Sequence, residues 1–180
     1  TLRKLTGIPE WLLLFLLVLP FACRRPVRVV MPENGREQSQ GRMEKVNEFL
    51  VEKDEEVIRN FVSRMGWEME LTESGLWYMV GPEGDGPELR PGTTVIFDYS
   101  ISLLDGTLCY SSEEDGSRTV RIGYSGEVRG LEEGLLLLRV GDHARFIMPP
   151  HLAHGLVGDG ERIPARATLV YEVVILAAEN

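Results

Sequence analysis

The run Gly126-Glu127-Val128-Arg129-Gly130-Leu131-Glu132-Glu133-Gly134 opens the stretch that decides how this chain folds, and Arg166-Ala167-Thr168-Leu169-Val170-Tyr171-Glu172-Val173 closes it. The first run reads as a tight approach through Gly126 and Gly130 into a short apolar helix, Leu131 to Leu138, stopped at Val140-Gly141-Asp142. Alternation then predicts a strand over His143 to Met148, with Ala144, Phe146 and Met148 on one face. Pro149-Pro150 ends it, because neither residue can donate a ladder hydrogen bond. Gly155, Gly158, Gly160 and Pro164 mark His151 to Ala165 as a loop. The last run, Ala167 to Leu176, places Leu169, Tyr171 and Val173 on one face at period two.

Upstream, Thr94 to Leu104 is the cleanest strand, with Val95, Phe97, Tyr99, Ile101 and Leu103 opposite Asp98, Ser100 and Ser102. Asp105-Gly106 turns it into a second strand, Thr107 to Ser112. Gly81 to Gly92 is a loop, and Trp67 to Leu71 with Leu76 to Val80 reads as a hairpin about Ser74-Gly75. Several antiparallel strands and one short helix predict an α+β architecture.

Before Gly66, Val46, Phe49, Leu50, Val57, Phe61, Val62 and Met65 recur at helical spacing over residues 43–66. Asp54-Glu55-Glu56 can cap a second start, so two short helices or one bent one fit. An amphipathic helix packed on its own domain is the simplest use of such a face. Residues 23–42 are polar, carry Pro26, Pro32, Gly35 and Gly41, and read as a flexible tether. Residues 1–22 join a basic start (Arg3, Lys4) to an apolar core, Trp11 to Leu19, too short for an ordinary membrane span of roughly 20 residues. That is the shape of a secretory signal, with an uncut signal anchor as the alternative.

The chain has 180 residues, is 43% hydrophobic and carries a net charge of −9, which suits one core with extensions. Loss of Arg3, Lys4 and Glu10 with the leader would make the charge −10 (−9 − 2 + 1), which excludes a phosphate backbone as a natural partner. Two cysteines, Cys23 and Cys109, give no disulfide framework. No phosphate-binding Gly-Lys-Ser/Thr loop or dinucleotide pattern occurs. His151 and His154 stand i, i+3 without a third fixed ligand, and Glu132 with Glu133 suits a helix start better than paired acids. No metal or cofactor is called for.

The order of Val128-Arg129-Gly130-Leu131-Glu132-Glu133-Gly134, a strand ending in Pro149-Pro150, His151-Leu152-Ala153-His154-Gly155, Ile163-Pro164 and residues 167–173 resembles the second half of an FKBP-type peptidyl-prolyl cis-trans isomerase domain. Val95-Ile96-Phe97-Asp98-Tyr99 and residues 105–112 extend the resemblance upstream. Val46 to Tyr78 resembles the lead-in of the gliding-motility-associated isomerase lipoproteins. The resemblance implies a twisted antiparallel half-barrel sheet wrapped around a short helix over residues 67–180, and lipid attachment at Cys23 in the envelope of a Gram-negative bacterium, facing the periplasm. Implied partners are proline-containing polypeptide clients, the membrane through that anchor, and secretion or motility machinery.

Carried over by position, the family's pocket falls on Tyr99, Val128, Leu131, His154, Ile163 and Tyr171 as catalytic residues, with Cys109, Tyr110 and Val120 as substrate-binding ones. In the family the amide at Val128 and the tyrosine usual at His154 donate hydrogen bonds to ligands, and Leu131 stands where many members have a tryptophan floor. Cys109 replaces a usual phenylalanine, Tyr110 a usual aspartate and Arg118 another aromatic, which predicts a shallower or differently selective pocket. Isomerisation asks for no acid, base or nucleophile. The X–Pro bond turns over a barrier of ~18–20 kcal/mol because twisting loses amide resonance, and an apolar, water-poor cup fitted to the twisted amide lowers it.

Overall fold

The computed structural model describes residues 33–82 and 84–179, with side chains from residue 43 onward. The chain falls into two units, Thr1–Gln40 and Gly41–Asn180, and the described part of the first is helix, residues 33–40. The expected signal segment, Cys23 and the first part of the tether lie outside the described residues. Among those described, no helix is long and apolar enough to cross a membrane.

One continuous helix, Glu33–Met65, replaces the two short or bent helices expected, and it starts ten residues before position 43. Gly35 and Gly41 fail to break it because glycine in a helix interior costs only ~1 kcal/mol relative to alanine. Their neighbours Arg36, Glu37, Gln38, Gln40 and Arg42 are good helix formers. Asp54 is therefore interior and caps nothing. The amphipathic reading of this segment holds over its second half, where Ile58, Phe61 and Val62 are buried with Trp77, Ile147 and Val170. Met43, Val46, Phe49 and Val57 stay exposed.

Seven strands are present among the described residues: β1 (Glu70–Leu71), β2 (Trp77–Val80), β3 (Thr94–Leu103), β4 (Leu108–Ser111), β5 (Arg118–Arg121), β6 (His143–Met148) and β7 (Leu169–Glu179). They form one open antiparallel sheet in the order β1-β2-β6-β7-β3-β4, with β5 also on β3. Alternation sorts the side chains. On β6 and β7, Phe146, Met148, Leu169, Tyr171, Val173 and Ile175 enter the main core, whereas Ile147 and Val170 turn to the long helix. The first strand is shorter than Trp67 to Leu71 predicts, and Trp67 instead packs edge-on against Phe61, with ring centroids 5.5 Å apart.

The short helix spans Arg129–Leu135 and buries Leu131 and Leu135 in the main core. Its closeness to β6 depends on two glycines. A Cβ at Gly130 would stand 2.8 Å from the Met148 sulfur, and one at Gly134 would stand 2.7 Å from Cζ of Phe146.

Three elements escaped the sequence reading: β5, a four-residue helix, Ser112–Asp115, and a three-residue helix, Pro150–Leu152. The first two matter because they split one edge of β3. Thr94–Phe97 pairs with β5 while Ser100–Ser102 pairs with β4. In the gap between, the Tyr99 amide donates to Ser112 Oγ at 3.2 Å, and Ser117 Oγ donates to Asp98 at 2.6 Å. A buried amide without a partner is costly, and the Ser112 hydroxyl stands in for the missing ladder partner of Tyr99.

Candidate functional site

A cleft of about 340 Å³ opens at that split, lined by Ile101, Tyr110, Arg118, Glu127, His154, Asp159, Ile163 and Tyr171. Ile101 and Tyr171 are direct partners in the β3–β7 ladder and give it an apolar wall. Tyr110 and Arg118 come from the two strands that flank the gap, and His154, Asp159 and Ile163 come from the loop before β7.

That loop is built to hold its shape. Asp159 Oδ1 accepts the amides of Glu161 (2.9 Å) and Ile163 (2.8 Å), and the Asp159 amide returns to the Ile163 carbonyl at 3.2 Å. Gly158 has φ +73°, and a Cβ there would meet the Ile163 oxygen at 2.2 Å, so only glycine closes this turn. The tip is fastened to β4 twice. Tyr110 Oη donates to Asp159 Oδ2 at 2.5 Å, and Arg162 donates to the Cys109 carbonyl at 2.9 Å while its guanidinium lies 5.0 Å over the Tyr110 ring.

These bonds show in the acidities. Desolvation opposes the charge on Asp159, but the Tyr110 hydroxyl, the two amides and the nearby His154 outweigh it and hold the carboxyl down at about 2. The same hydrogen bond pushes the Tyr110 hydroxyl up to about 12. Burial raises the Tyr171 hydroxyl, and burial first, then the negative field of Asp159 and Asp105, raises the Cys109 thiol.

Of the positions picked out in the sequence, Tyr110, His154, Ile163 and Tyr171 line the cleft. Tyr99, Leu131, Cys109 and Val120 do not; all four are buried in the core behind it, and Val128 packs at that core's edge. Each displacement has a reason. Arg118 lays its guanidinium 4.5 Å over the Tyr99 ring and covers it. Leu131 is wholly buried against the sheet, Val120 pairs with Val95, and Cys109 points its sulfur at the Arg162 carbonyl, 3.6 Å away. Val128 stands at the N-terminus of the short helix, where its carbonyl accepts the amides of Leu131 and Glu132.

The cleft is also less apolar than the expected aromatic cup. Arg118 brings an ion pair with Glu127 (3.3 Å) into the wall, and Tyr110 brings Asp159. Glu127, Asp159 and Ile101 were not picked out, and neither lone acid carries a sequence signal, since each matters only through a partner on another element. His151, the other candidate of the His151/His154 pair, is engaged elsewhere, with Nε2 3.0 Å from the Ser74 carbonyl.

An open antiparallel half-barrel packed on one short helix, with a cleft between a split strand edge and the loop before the last strand, defines the FKBP-like fold class. The model of that family, FKBP-type peptidyl-prolyl cis-trans isomerase, matches residues 86–176. The chain belongs to this family. It is 39% identical over 95 residues to FK506-binding protein 1A of Emericella nidulans, covering 52% of this chain and 88% of that one. To the FKBP-type isomerase FkpA of Aeromonas hydrophila it is 37% identical over 109 residues, 61% of this chain and 40% of that protein. The crystal structure of FkpA from Escherichia coli superposes with a TM-score of 0.61 at 26% identity, over 83% of this chain and 74% of that one. The chain spans only 17% of FKBP10 of Mus musculus, to which it is 34% identical over 100 residues.

Proposed function

We propose that the chain is a peptidyl-prolyl cis-trans isomerase acting on proline-containing polypeptides, with the cleft as its site. What supports this best is the membership of residues 86–176 in the isomerase family together with a cleft whose apolar wall, Ile101, Ile163 and Tyr171, faces two closed polar pairs. A twisted amide is less conjugated than a planar one, so a shaped, partly desolvated cleft that fits the twisted form lowers the barrier without acid–base chemistry. Ile163 and Tyr171 shape the wall, the Val128 amide and His154 supply polar contacts, and Tyr99, Leu131, Cys109 and Val120 hold the wall from behind.

In this reading the clients are exported or envelope proteins, and the chain sits at the cell envelope, held by lipid at Cys23 and near secretion or motility machinery. The leader-like residues 1–22 and the resemblance to isomerase lipoproteins support it.

One observation favours a second reading, a binding module with residual catalysis: Arg118 covers the Tyr99 ring that would otherwise floor the cleft. A proline-limited peptide isomerisation assay decides between them. Turnover with a rate nearly flat over about pH 6 to 8.5, apart from any effect of His154, since no group in the cleft acts as acid or base, supports the isomerase. Binding of proline peptides without turnover moves the reading to the module.

A further inference from the structure

The loop that carries His154, Asp159 and Ile163 is tied to β4 at its tip, but its base is held from outside the cleft, by the long helix. Arg166 closes the base. Its amide donates to the Gly155 carbonyl at 3.0 Å, next to His154. Its Nη2 stands 3.0 Å from both carboxylate oxygens of Asp54, 112 residues earlier in the chain. Arg166 is also the one non-glycine residue with positive φ, +58°, among those described. A side chain in the left-handed region persists only where its surroundings hold it there, and the Asp54 carboxylate and the Gly155 carbonyl are what holds this one. The Asp54 and Arg166 side chains are 19% and 33% exposed, at a groove lined by Leu50, Val51, Pro150 and Leu156.

We propose that Asp54 and Arg166 are positioning residues of the cleft: the ion pair fixes the base of the loop on the helix and so sets how far His154 stands from Tyr110 and Tyr171. The inference rests on the isomerase reading of the cleft. Because the tip bonds to β4 survive without the pair, its loss lets the His154–Leu156 arm drift and leaves Ile101, Tyr110 and Tyr171 in place. Substrate binding suffers more than turnover. A partly exposed pair contributes little to global stability, so the fold should tolerate the change.

Asp54→Asn, Arg166→Gly and the exchanged pair Asp54→Arg with Arg166→Asp separate these roles in the full chain. Glycine relieves the positive φ while removing the pair, and aspartate tolerates that conformation. With a Leu-Pro peptide, Asp54→Asn and Arg166→Gly should each raise KM about fivefold or more with kcat within about twofold and Tm nearly unchanged, and the exchanged pair should recover much of the loss. A KM within about twofold of wild type in Asp54→Asn, or a fall in Tm with KM unchanged, overturns the proposal. If the wild type turns over no proline peptide, the isomerase reading fails. The positioning role is then read in the Kd for that peptide, which must rise by the same factor in both single variants. An unchanged Kd, or no binding by the wild type, overturns it.

Discussion

Gly134→Ala tests how the short helix is seated, and with it the back of the cleft. The added Cβ would lie 2.7 Å from Cζ and 2.9 Å from Cε1 and Cε2 of Phe146. Carbon atoms rest at ~3.5–4.0 Å, so ring and helix must part by about 1 Å. Phe146 cannot yield cheaply, because it is fully buried on β6 between β2 and β7. Overpacking of this kind costs ~1–3 kcal/mol, and alanine over glycine in a helix returns at most ~1 kcal/mol. The net expectation is a loss of about 1–2 kcal/mol, read as a lower urea midpoint with an unchanged slope. Gly130→Ala is the internal comparison. Its Cβ meets the Met148 sulfur at 2.8 Å and Cγ at 2.9 Å, and an unbranched thioether re-packs more readily than a phenyl ring, so its loss should be smaller. A Gly134→Ala protein as stable as the parent, or one less affected than Gly130→Ala, refutes the reasoning.

Tyr171→Ala should lower kcat/KM about tenfold or more, each 1.4 kcal/mol of lost transition-state contact being tenfold, with circular dichroism first showing the variant folded. The Tyr110–Asp159 bond should make stability depend on pH at both extremes. Asp159, lowered from 3.8 to about 2, favours the folded state above pH 4 and loses that contribution as pH falls from 4 to about 2. Tyr110, raised from 10.0 to about 12, favours the folded state below pH 10 and loses its contribution as pH rises from 10 to about 12. Tyr110→Phe should flatten both limbs in pH-dependent thermal melts, and unchanged limbs would show the bond to be absent in solution. Cys109, buried and raised in pKa, should resist a thiol reagent at pH 8 in the Cys23→Ser protein until denaturant is added, and rapid native labelling would contradict its burial.

The elements read correctly from sequence are those whose local pattern and tertiary role agree. β3 alternates because one face is core, and Pro149-Pro150 ends β6 where the helix of three residues Pro150–Leu152 begins. Several failures share a cause, which is that the deciding partner is distant. Asp54 reads as a helix cap until Arg166 is seen beside it, and Glu133 reads as a dipole contact although it accepts the Ser74 hydroxyl at 2.8 and 2.7 Å across 59 residues. β5 was missed because Arg118-Thr119-Val120-Arg121 puts charge at both ends of a strand only four residues long. The cleft was legible in part for the same reason. Tyr110, His154, Ile163 and Tyr171 follow from family position, but the acids that meet Arg118 and Tyr110 follow only from the fold.

Those two acids bear on how the cleft could act as an isomerase site despite its charges. A free charge would favour the planar amide, whose resonance makes its oxygen the more negative, and would therefore stabilise the ground state against the twist. Here one pair of charges is closed, Arg118 on Glu127 and the Tyr99 ring, while Asp159 keeps its charge with its oxygens taken up by the Tyr110 hydroxyl and two amides. The field of an ion pair falls off faster with distance than that of a single ion, so an amide held against Ile163 and Tyr171 experiences a weaker bias from Arg118 and Glu127 than either alone would impose. A carboxylate does stand at the rim, that of Asp159 on the loop, where the Tyr110 hydroxyl binds it. On the isomerase reading, breaking a pair should therefore harm turnover more than removing it whole. Glu127→Gln, which strands Arg118 in the cleft, should be slower than the double change Arg118→Met with Glu127→Gln, and the reverse order in kcat would show that the ionic wall itself carries the catalysis.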